Sequence, residues 1–262
     1  MGILPISPRG VPINPHPKIF ALIIGTEILN QRRRDRHFAF VADALARRGY
    51  TLAGSLVIAD DPELIVDTIR FVASQPHSIL LSFGGIGSTP DDHTRQCVAT
   101  ALRDGRLTTH PQAKQIIEAT LGEEAYPHPI RMAELPQGAT LLHNPINNMP
   151  AFALEERYFF MPGFPSMSHP MVEAILVQHL PHQSHPYRYT LTAHCKENRL
   201  IELMAQMPST VECSSLPHRD PKGWRVTLSV ASQDKAMAQK SFERFERLLK
   251  AEGVAYERSQ GD

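Results

Sequence analysis

Cysteine is scarce in this sequence, and neither sign of charge is in excess. The chain has 262 residues and three cysteines, Cys97, Cys195 and Cys213, and no two of them form a CxxC pair. This pattern disfavours a disulfide framework and a cysteine-based zinc site, and the reducing cytoplasm is the expected location. Lys+Arg and Asp+Glu number 27 each. Because there is no basic excess, we expect neither nucleic acid nor an anionic membrane as a partner.

Long apolar runs are missing as well. No window approaches the roughly 18 consecutive apolar residues that a membrane-spanning helix needs. The first segment, residues 1–17, reads MGILPISPRGVPINPHP and contains five prolines. It lacks the cationic end and apolar run of a signal peptide, so we predict a flexible, proline-rich leader. The whole chain is 42% hydrophobic, which is enough for one large domain or two.

Apolar runs and helical periodicities alternate after the leader. Asp60, as N-cap, and Pro62 mark the start of one of the helices. The predicted elements are a strand over 18–24, a helix over 37–48, a strand over 51–58, the helix after Asp60, a strand over 78–83 and a helix over 89–102. This alternation predicts an α/β fold of three α/β/α layers, in which helices cover both faces of a mostly parallel sheet.

A second, smaller domain is predicted at the carboxyl-terminal end. The segment PHQSHP at 181–186 has the composition of a linker. After it, the sequence predicts a strand over 187–193, a helix over 197–207, a strand over 224–231 and a helix over 233–253. We therefore predict a main domain over 18–183 and a small βαβα domain over 184–262.

Three glycines separate the third predicted strand from the next helix, in the stretch SFGGIGSTPDDHT. Gly84, Gly85 and Gly87 let the backbone approach a phosphate, and the free N–H groups of a helix start favour an anion. Ser88 and Thr89 add hydroxyl donors. The stretch has neither the GxGxxG nor the P-loop pattern. It predicts a site for a phosphorylated ligand without identifying that ligand.

The same stretch has a second interpretation. Thr89-Pro90-Asp91-Asp92 is also a good helix start, with Thr89 as the N-cap and the acids in the first turn. If a phosphate binds here, the carboxylates would repel it unless a metal ion or a proton lies between them. Asp91 and Asp92 could ligate Mg²⁺, or one of them could accept a hydrogen bond from a ribose or pterin group.

Further acids follow the ends of predicted strands. The carboxyl ends of parallel strands meet at one edge of a sheet, where ligands bind in open α/β folds. The acids expected to converge there are Glu27, Asp35, Asp60 and Asp92. The basic run RRRDR at 32–36 is compatible with phosphate binding and equally with a solvated helix start.

Five segments, in order, resemble the motifs of one protein family. GGIGSTPDDHT resembles the GGxGxxxxDxT motif of the molybdopterin-binding (MoaB/MogA-like) domain, and TPDD makes the amino-terminal domain of CinA-type competence/damage-inducible proteins the closer match. The segment GTEILNQRRRDRH is similar to GDEILxGxxxDxN, and VIADDPELI is similar to V-x-DD. The segment HNPINNMPAF is similar to NPxGxxPG, and MPGFPSMSHPM is similar to LPGxPxEMxPM. This resemblance covers residues 18–179, and the tail is more weakly similar to the middle domain of CinA proteins.

The resemblance implies a molybdopterin-binding-like fold and a small phosphorylated ligand, either molybdopterin or a nucleotide. It implies Asp60 and Asp92 as candidate catalytic residues, and Asp91 with Asp92 as candidate ligands of Mg²⁺, Mn²⁺ or Co²⁺. The residues that the motifs place around the ligand are Gly25, Thr26, Glu27, Gly84, Gly85, Gly87, Ser88, Thr89, Thr94, Asn144, Pro145 and Asn147.

The sequence departs from the family pattern at several positions. Thr26 stands where the family has an aspartate, and His37 where it has an asparagine. Asn147 and Ala151 replace glycines, and an asparagine can adopt the left-handed conformation that a glycine often serves. Thr26 removes a carboxylate and therefore motivates the hypothesis of a binding protein without turnover.

Two functions follow from the resemblance and stay open. One is molybdopterin binding with a role in molybdenum-cofactor assembly. The other is metal-dependent hydrolysis of a nucleotide diphosphate such as ADP-ribose, which makes the protein a nucleotide pyrophosphatase. The carboxy-terminal deamidase domain of full-length CinA proteins is not expected in this chain. Members of the family associate through this domain, so a homo-oligomer, a dimer or a trimer, is also expected.

Overall fold

The apolar run KIFALII forms strand β1 (Lys18–Ile24) in the computed structural model of the protein, which describes residues 17–221 and 223–259. β1 pairs in parallel with β2 (Leu52–Ile58) on one side and with β3 (Ser78–Phe83) on the other. All its residues after Lys18 are buried. A strand covered on both faces has a continuous apolar sequence, which explains why this segment does not alternate.

The chain divides into two units, one ending at His182 and the other beginning at Gln183. The further strands of the first unit are β4 (Leu107–Thr109), β5 (Glu134–Pro136), β6 (Thr140–Leu142), β7 (Ala151–Leu154) and β8 (Tyr158–Met161). Its helices are α1 (Thr26–Leu29), α2 (His37–Ala46), α3 (Pro62–Ser74), α4 (Thr94–Leu102), α5 (Pro111–Leu121) and α6 (Pro165–His179).

The main sheet of the first unit has six strands in the order β2-β1-β3-β8-β7-β6. β2, β1, β3 and β8 are parallel, and β7 is antiparallel to both of its neighbours. Helix α2 packs against α6, and α3 packs against α4, so helices form the layers that cover the sheet. The prediction of a three-layer α/β fold with a mostly parallel sheet is confirmed.

The second unit contains β9 (Tyr187–Ala193), α7 (Ile201–Ala205), β10 (Glu212–Asp220), β11 (Gly223–Ser232), α8 (Lys235–Ala251) and β12 (Tyr256–Ser259). Its four strands form an antiparallel sheet in the order β10-β11-β9-β12, which is a βαββαβ arrangement. The βαβα prediction missed β10 and β12. Both are edge strands whose residues are mostly exposed, and Pro217 in β10 is tolerated there because one side of an edge strand needs no partner.

Several element boundaries also differ from the prediction. Helix α4 begins at Thr94 rather than Thr89, because the intervening residues form turns. Asp61, not Asp60, caps α3: its Oδ1 accepts a hydrogen bond from the N–H of Leu64 at 2.8 Å. Strand β7 begins within the segment HNPINNMPAF, at Ala151.

The predicted leader over 1–17 lies outside the described residues, apart from Pro17. Within the described ranges, the helices are too short or too polar for any of them to cross a membrane.

Candidate functional site

A cleft of about 430 Å³ lies where the loops after β1, β3 and β8 meet the loop before β7. Because β1, β3 and β8 are parallel, the loops that follow them leave the same edge of the sheet. The residues that line the cleft are Glu27, Arg33, Gly84, Gly85, Ile86, Gly87, Ser88, Thr89, Asp91, Asp92, Met132, Asn147, Met149, Pro150, Pro162, Gly163, Phe164 and Met167. The cleft thus combines the predicted glycine-rich loop with an apolar wall.

The glycine-rich loop, residues 84–92, is attached to the protein by hydrogen bonds at its start. The N–H of Gly84 donates to the carbonyl of Met161 at 3.0 Å. Thr94 donates its hydroxyl to the carbonyl of Gly84 at 3.0 Å and its N–H to the carbonyl of Gly85 at 2.9 Å. Thr94 is fully buried. It therefore holds the loop from behind, whereas the sequence predicted a ligand contact for it.

The glycines of this loop are required by close contacts within the protein. A Cβ atom on Gly84 would lie 2.3 Å from the carbonyl oxygen of Ile24, and one on Gly85 would lie 2.3 Å from the Thr94 hydroxyl. Both glycines have positive φ angles, +103° and +67°. The sequence interpretation explained the glycines by the approach of a phosphate. The structure gives an additional reason, since protein atoms already occupy the space of a side chain.

Four adjacent backbone donors of the loop are free to bind a ligand. In the part of the chain that the structure describes, the N–H groups of Gly85, Ile86, Gly87 and Ser88 have no protein acceptor. All four residues line the cleft. Successive free N–H groups in a turn form a concave site for an anion. The loop can therefore bind phosphate oxygens with its backbone alone.

Arg95 places a positive charge behind this loop. Its guanidinium is buried and donates to the carbonyl of Gly87 at 2.8 Å, to the carbonyl of Glu134 at 3.2 Å and to the carbonyl of Arg131. Burial lowers the pKa of Arg95, while Asp92 opposes this shift. The sequence analysis missed Arg95, because an arginine at the second residue of a helix carries no signal that it is buried.

The two acids of the loop have different environments. Asp92 Oδ2 accepts hydrogen bonds from the N–H of Thr89 at 2.8 Å and from its hydroxyl at 2.6 Å. These bonds close the turn over 89–92. Asp91 is exposed and also lines the cleft. Asp92 therefore stabilises the loop, and Asp91, whose pKa is lowered by a hydrogen bond from the Thr89 side chain, is the more exposed of the two carboxylates.

Asp60 is engaged in a reciprocal contact with Thr26. Asp60 Oδ2 accepts from the N–H of Thr26 at 2.7 Å and from its hydroxyl at 2.8 Å, and the Thr26 hydroxyl accepts from the N–H of Asp60 at 3.1 Å. Neither residue lines the cleft, and Gly25 does not either. The contact joins the ends of β1 and β2, directly before Glu27, which is the acid that this turn presents to the cleft.

The asparagines of the loop before β7 also have different roles: one is buried and shapes the loop, and the other lines the cleft. Asn144 is fully buried and donates to Asn147 Oδ1 at 2.8 Å, while its own Oδ1 accepts from the N–H of Ile146 at 3.1 Å. It shapes the loop, and Pro145 lies outside the cleft lining. Asn147 lines the cleft, but its Oδ1 also accepts from the N–H of Met149 at 3.1 Å and its Nδ2 donates to Met167 Sδ at 3.8 Å. Asp35, which the sequence placed with the acids, instead accepts hydrogen bonds from the first N–H groups of α2.

His37 supports the cleft from below. Its ring stacks on Phe83 with centroids 4.3 Å apart, and its Nε2 lies 3.3 Å from the carbonyl oxygen of Gly163. Burial lowers the pKa of His37 from 6.5 to about 4; the Gly163 carbonyl and Asp35 oppose this shift, and His169 and Arg33 add to it. The imidazole is therefore neutral at physiological pH.

The metal site that the resemblance implied gains no support from the geometry. Among the described residues, no group of three or more His, Cys, Asp or Glu side chains is placed to hold a metal ion. At Asp92, one carboxylate oxygen is already occupied by the two donors of Thr89.

The comparisons with known proteins agree on one family. A family model described as a probable molybdopterin-binding domain matches residues 20–182. A protein of Caldivirga maquilingensis is 32% identical over 178 residues, which cover 66% of this chain and 67% of that protein. A CinA-like protein of Nostoc punctiforme is 32% identical over 169 residues, which cover 62% of this chain and 40% of that protein. The match thus spans about two fifths of the length of this CinA-like relative.

Among solved structures, the CinA protein of Thermoplasma acidophilum, described as having unknown function, has the same fold as the first unit. The two superimpose with a TM-score of 0.57 at 24% sequence identity, over 64% of this chain and all of that chain.

We expect Gly85→Ala to lower the free energy of unfolding by about 3 kcal/mol, because its Cβ would overlap the Thr94 hydroxyl in a left-handed backbone. Gly138→Ala is the matched control, since Gly138 also has a positive φ, +78°, but has open space at its Cβ. It should cost only about 1 kcal/mol. Urea unfolding of both variants measures the difference. Equal losses would contradict the packing role of Gly85.

We expect His37 to make folding stability dependent on pH. Its folded pKa, about 4, lies below the unfolded value of 6.5, so the unfolded state binds the proton first as the pH falls. The contribution is fully present above pH 6.5 and is lost between pH 6.5 and 4, by up to about 3 kcal/mol. His37→Asn should therefore lose less stability than the wild type between pH 7 and pH 4.

Urea unfolding at several pH values in this interval checks the expectation. His77→Asn is the control, because His77 is exposed and its positive φ of 55° suits asparagine. This control should keep the pH dependence of the wild type. An unchanged pH dependence in His37→Asn would show that His37 is not the responsible group.

Proposed function

This chain belongs to the family of probable molybdopterin-binding domains, as a CinA-like member, and on that premise we propose that it binds a small phosphorylated ligand in the cleft at the end of β1, β3 and β8. The ligand is a phosphorylated pterin of the molybdopterin type or a nucleotide. The observation that carries the proposal is the row of free N–H groups from Gly85 to Ser88.

The residues of the cleft fit the parts of such a ligand. The free N–H groups would donate to phosphate oxygens, and the buried charge of Arg95 would add a favourable potential from behind. The carboxylates of Glu27 and Asp91 would accept hydrogen bonds from ring amino groups or ribose hydroxyls. The volume of about 430 Å³ lies in the range of small-molecule sites.

In this proposal the protein binds its ligand without converting it and takes part in molybdenum-cofactor assembly. Asp92 is occupied by Thr89, and Asp60 by Thr26, so the two acids that the resemblance implied as catalytic both have structural partners. The expected cytoplasmic location and the expected dimer or trimer stay predictions.

The second candidate function is hydrolysis of a nucleotide diphosphate such as ADP-ribose. The observation that favours it is the presence of Glu27 and Asp91 in the same cleft as the free N–H groups. A divalent metal would supply charge neutralisation on the diphosphate and an activated water. Glu27 and Asp91 do not form a metal site by themselves among the described residues, and they are the carboxylates of the cleft that a metal brought by the diphosphate would meet.

We expect Asp91→Asn to tighten the binding of ribose 5-phosphate in metal-free buffer by a few-fold. The substitution removes a negative charge beside the phosphate, and one such charge at about 4 Å contributes about 1 kcal/mol in water. Isothermal titration calorimetry measures the effect, which should shrink at high salt. Asp67→Asn is the control, because Asp67 is an exposed acid of α3 outside the cleft, and it should bind like the wild type.

If no phosphorylated compound binds the wild type, the proposed function is wrong. If Asp91→Asn leaves the affinity unchanged while the wild type binds, the phosphate lies elsewhere than the loop over 85–88.

Incubation with ADP-ribose and Mg²⁺, Mn²⁺ or Co²⁺ separates the two candidates. The binding function predicts that ADP-ribose is recovered intact. Hydrolysis predicts AMP and ribose 5-phosphate in equal amounts, and Glu27→Gln should then slow their release roughly 10²-fold, corresponding to about 3 kcal/mol. Chromatographic detection of AMP provides the measurement.

A further inference from the structure

Phe164 is an exposed aromatic residue at the wall of the cleft. It is 56% exposed and directly precedes helix α6, which begins at Pro165. Its carbonyl accepts hydrogen bonds from the N–H groups of Met167 at 2.9 Å and Ser168 at 3.0 Å. The residue before it, Gly163, is contacted by His37. The backbone of Phe164 is thus held on both sides, while its ring stays accessible.

The segment that carries Phe164 touches the glycine-rich loop. A Cβ atom on Gly163 would lie 3.3 Å from the Cα of Gly84, so the two loops touch immediately beside Phe164. Phe164 and the residues with free N–H groups line one cleft, together with the apolar side chains of Met149 and Met167. A phosphate bound by the loop would therefore have an apolar, aromatic surface next to it.

One face of the Phe164 ring is in contact with a cation. The guanidinium carbon of Arg33 lies 5.2 Å from the centroid of the Phe164 ring, which is within the range of a cation–π contact. Arg33 in turn is held by Glu27, whose carbonyl accepts its N–H at 2.9 Å and whose carboxylate lies 3.9 Å from its guanidinium. More than half of Phe164 remains exposed beside this contact.

We propose that Phe164 is the specificity-determining residue that stacks on the planar ring of the ligand while the loop over 85–88 binds its phosphate. This inference rests on the proposed function and deepens it: the ligand class is a phosphate ester that carries a heteroaromatic ring. Sugar phosphates without a ring bind the loop but lack the stacking contact. Stacking of a base on an aromatic side chain is strong enough to decide between these two classes.

The test compares ligands with and without a ring on two full-length variants. Phe164→Leu keeps an apolar side chain and removes the ring, and Phe38→Leu is the matched control, because Phe38 is 50% exposed and lies outside the cleft. The ring-bearing probes are AMP, GMP and the phosphate ester of hydroxymethylpterin, and the ringless probe is ribose 5-phosphate. We expect Phe164→Leu to weaken the binding of the best ring-bearing probe by roughly tenfold or more. It should weaken the binding of ribose 5-phosphate by less than twofold.

A second variant gives a direct signal of stacking. In Phe164→Trp, made in a Trp224→Phe background so that the tryptophan of the second unit does not contribute, the ring-bearing probes should quench the fluorescence and ribose 5-phosphate should not.

The outcomes distinguish this inference from the proposed function. If ribose 5-phosphate and the ring-bearing probes bind Phe164→Leu as they bind the wild type, the stacking role is wrong and the proposed function stands. Equal weakening of both ligand classes also overturns it, because Phe164 would then shape the loop. If the wild type binds none of the probes, both proposals fail.

Discussion

The cleft depends on the close packing of the glycine-rich loop against the end of β1 and the start of α4. Gly84 and Gly85 approach Ile24 and Thr94 so closely that no Cβ atom fits between them. This packing fixes the backbone in a left-handed conformation in which the next N–H groups have no partner within the described chain. The donors of Gly85 to Ser88 are available to an anion because Thr94 and Arg95 hold this part of the loop from behind, through the carbonyls of Gly84, Gly85 and Gly87.

The charges around this loop are arranged in two layers. Arg95 is buried behind it and bonded to backbone carbonyls, so its charge acts on the cleft without entering it. In front, Glu27 lies 3.9 Å from the guanidinium of Arg33, and Asp91 repels an anion unless the ligand also brings hydrogen-bond donors. A ligand that carries both a phosphate and hydrogen-bond donors interacts favourably with Arg95 and with the carboxylates. A bare phosphate interacts favourably only with Arg95. This is the electrostatic reason to expect a nucleotide or a pterin rather than a simple anion.

The acids show how one residue type serves different purposes in this fold. Asp92 and Asp60 each accept two hydrogen bonds from a threonine, and these contacts set the geometry of two neighbouring turns. Thr26, which departs from the motif that this segment resembles, takes part in the second contact. The substitution therefore gives the turn a donor for Asp60, and Glu27 directly after it faces the cleft.

The sequence by itself determined the architecture of the first unit and predicted the edge of the sheet at which the cleft lies. The continuous apolar runs of β1 and β3 indicated buried parallel strands, and the position of the glycine-rich loop followed, because carboxyl ends of parallel strands meet at one edge. It did not reveal the exposed edge strands β10 and β12, since their residues bury little apolar surface. Only the tertiary structure decided which residues line the cleft. Thr94 and Asn144 are buried, and Asp60 is paired. Phe164 lines the cleft just before α6, and Arg95 lies behind the glycine-rich loop at the start of α4. The reason is physical: burial and hydrogen-bond partners come from segments distant in sequence, and no local pattern records them.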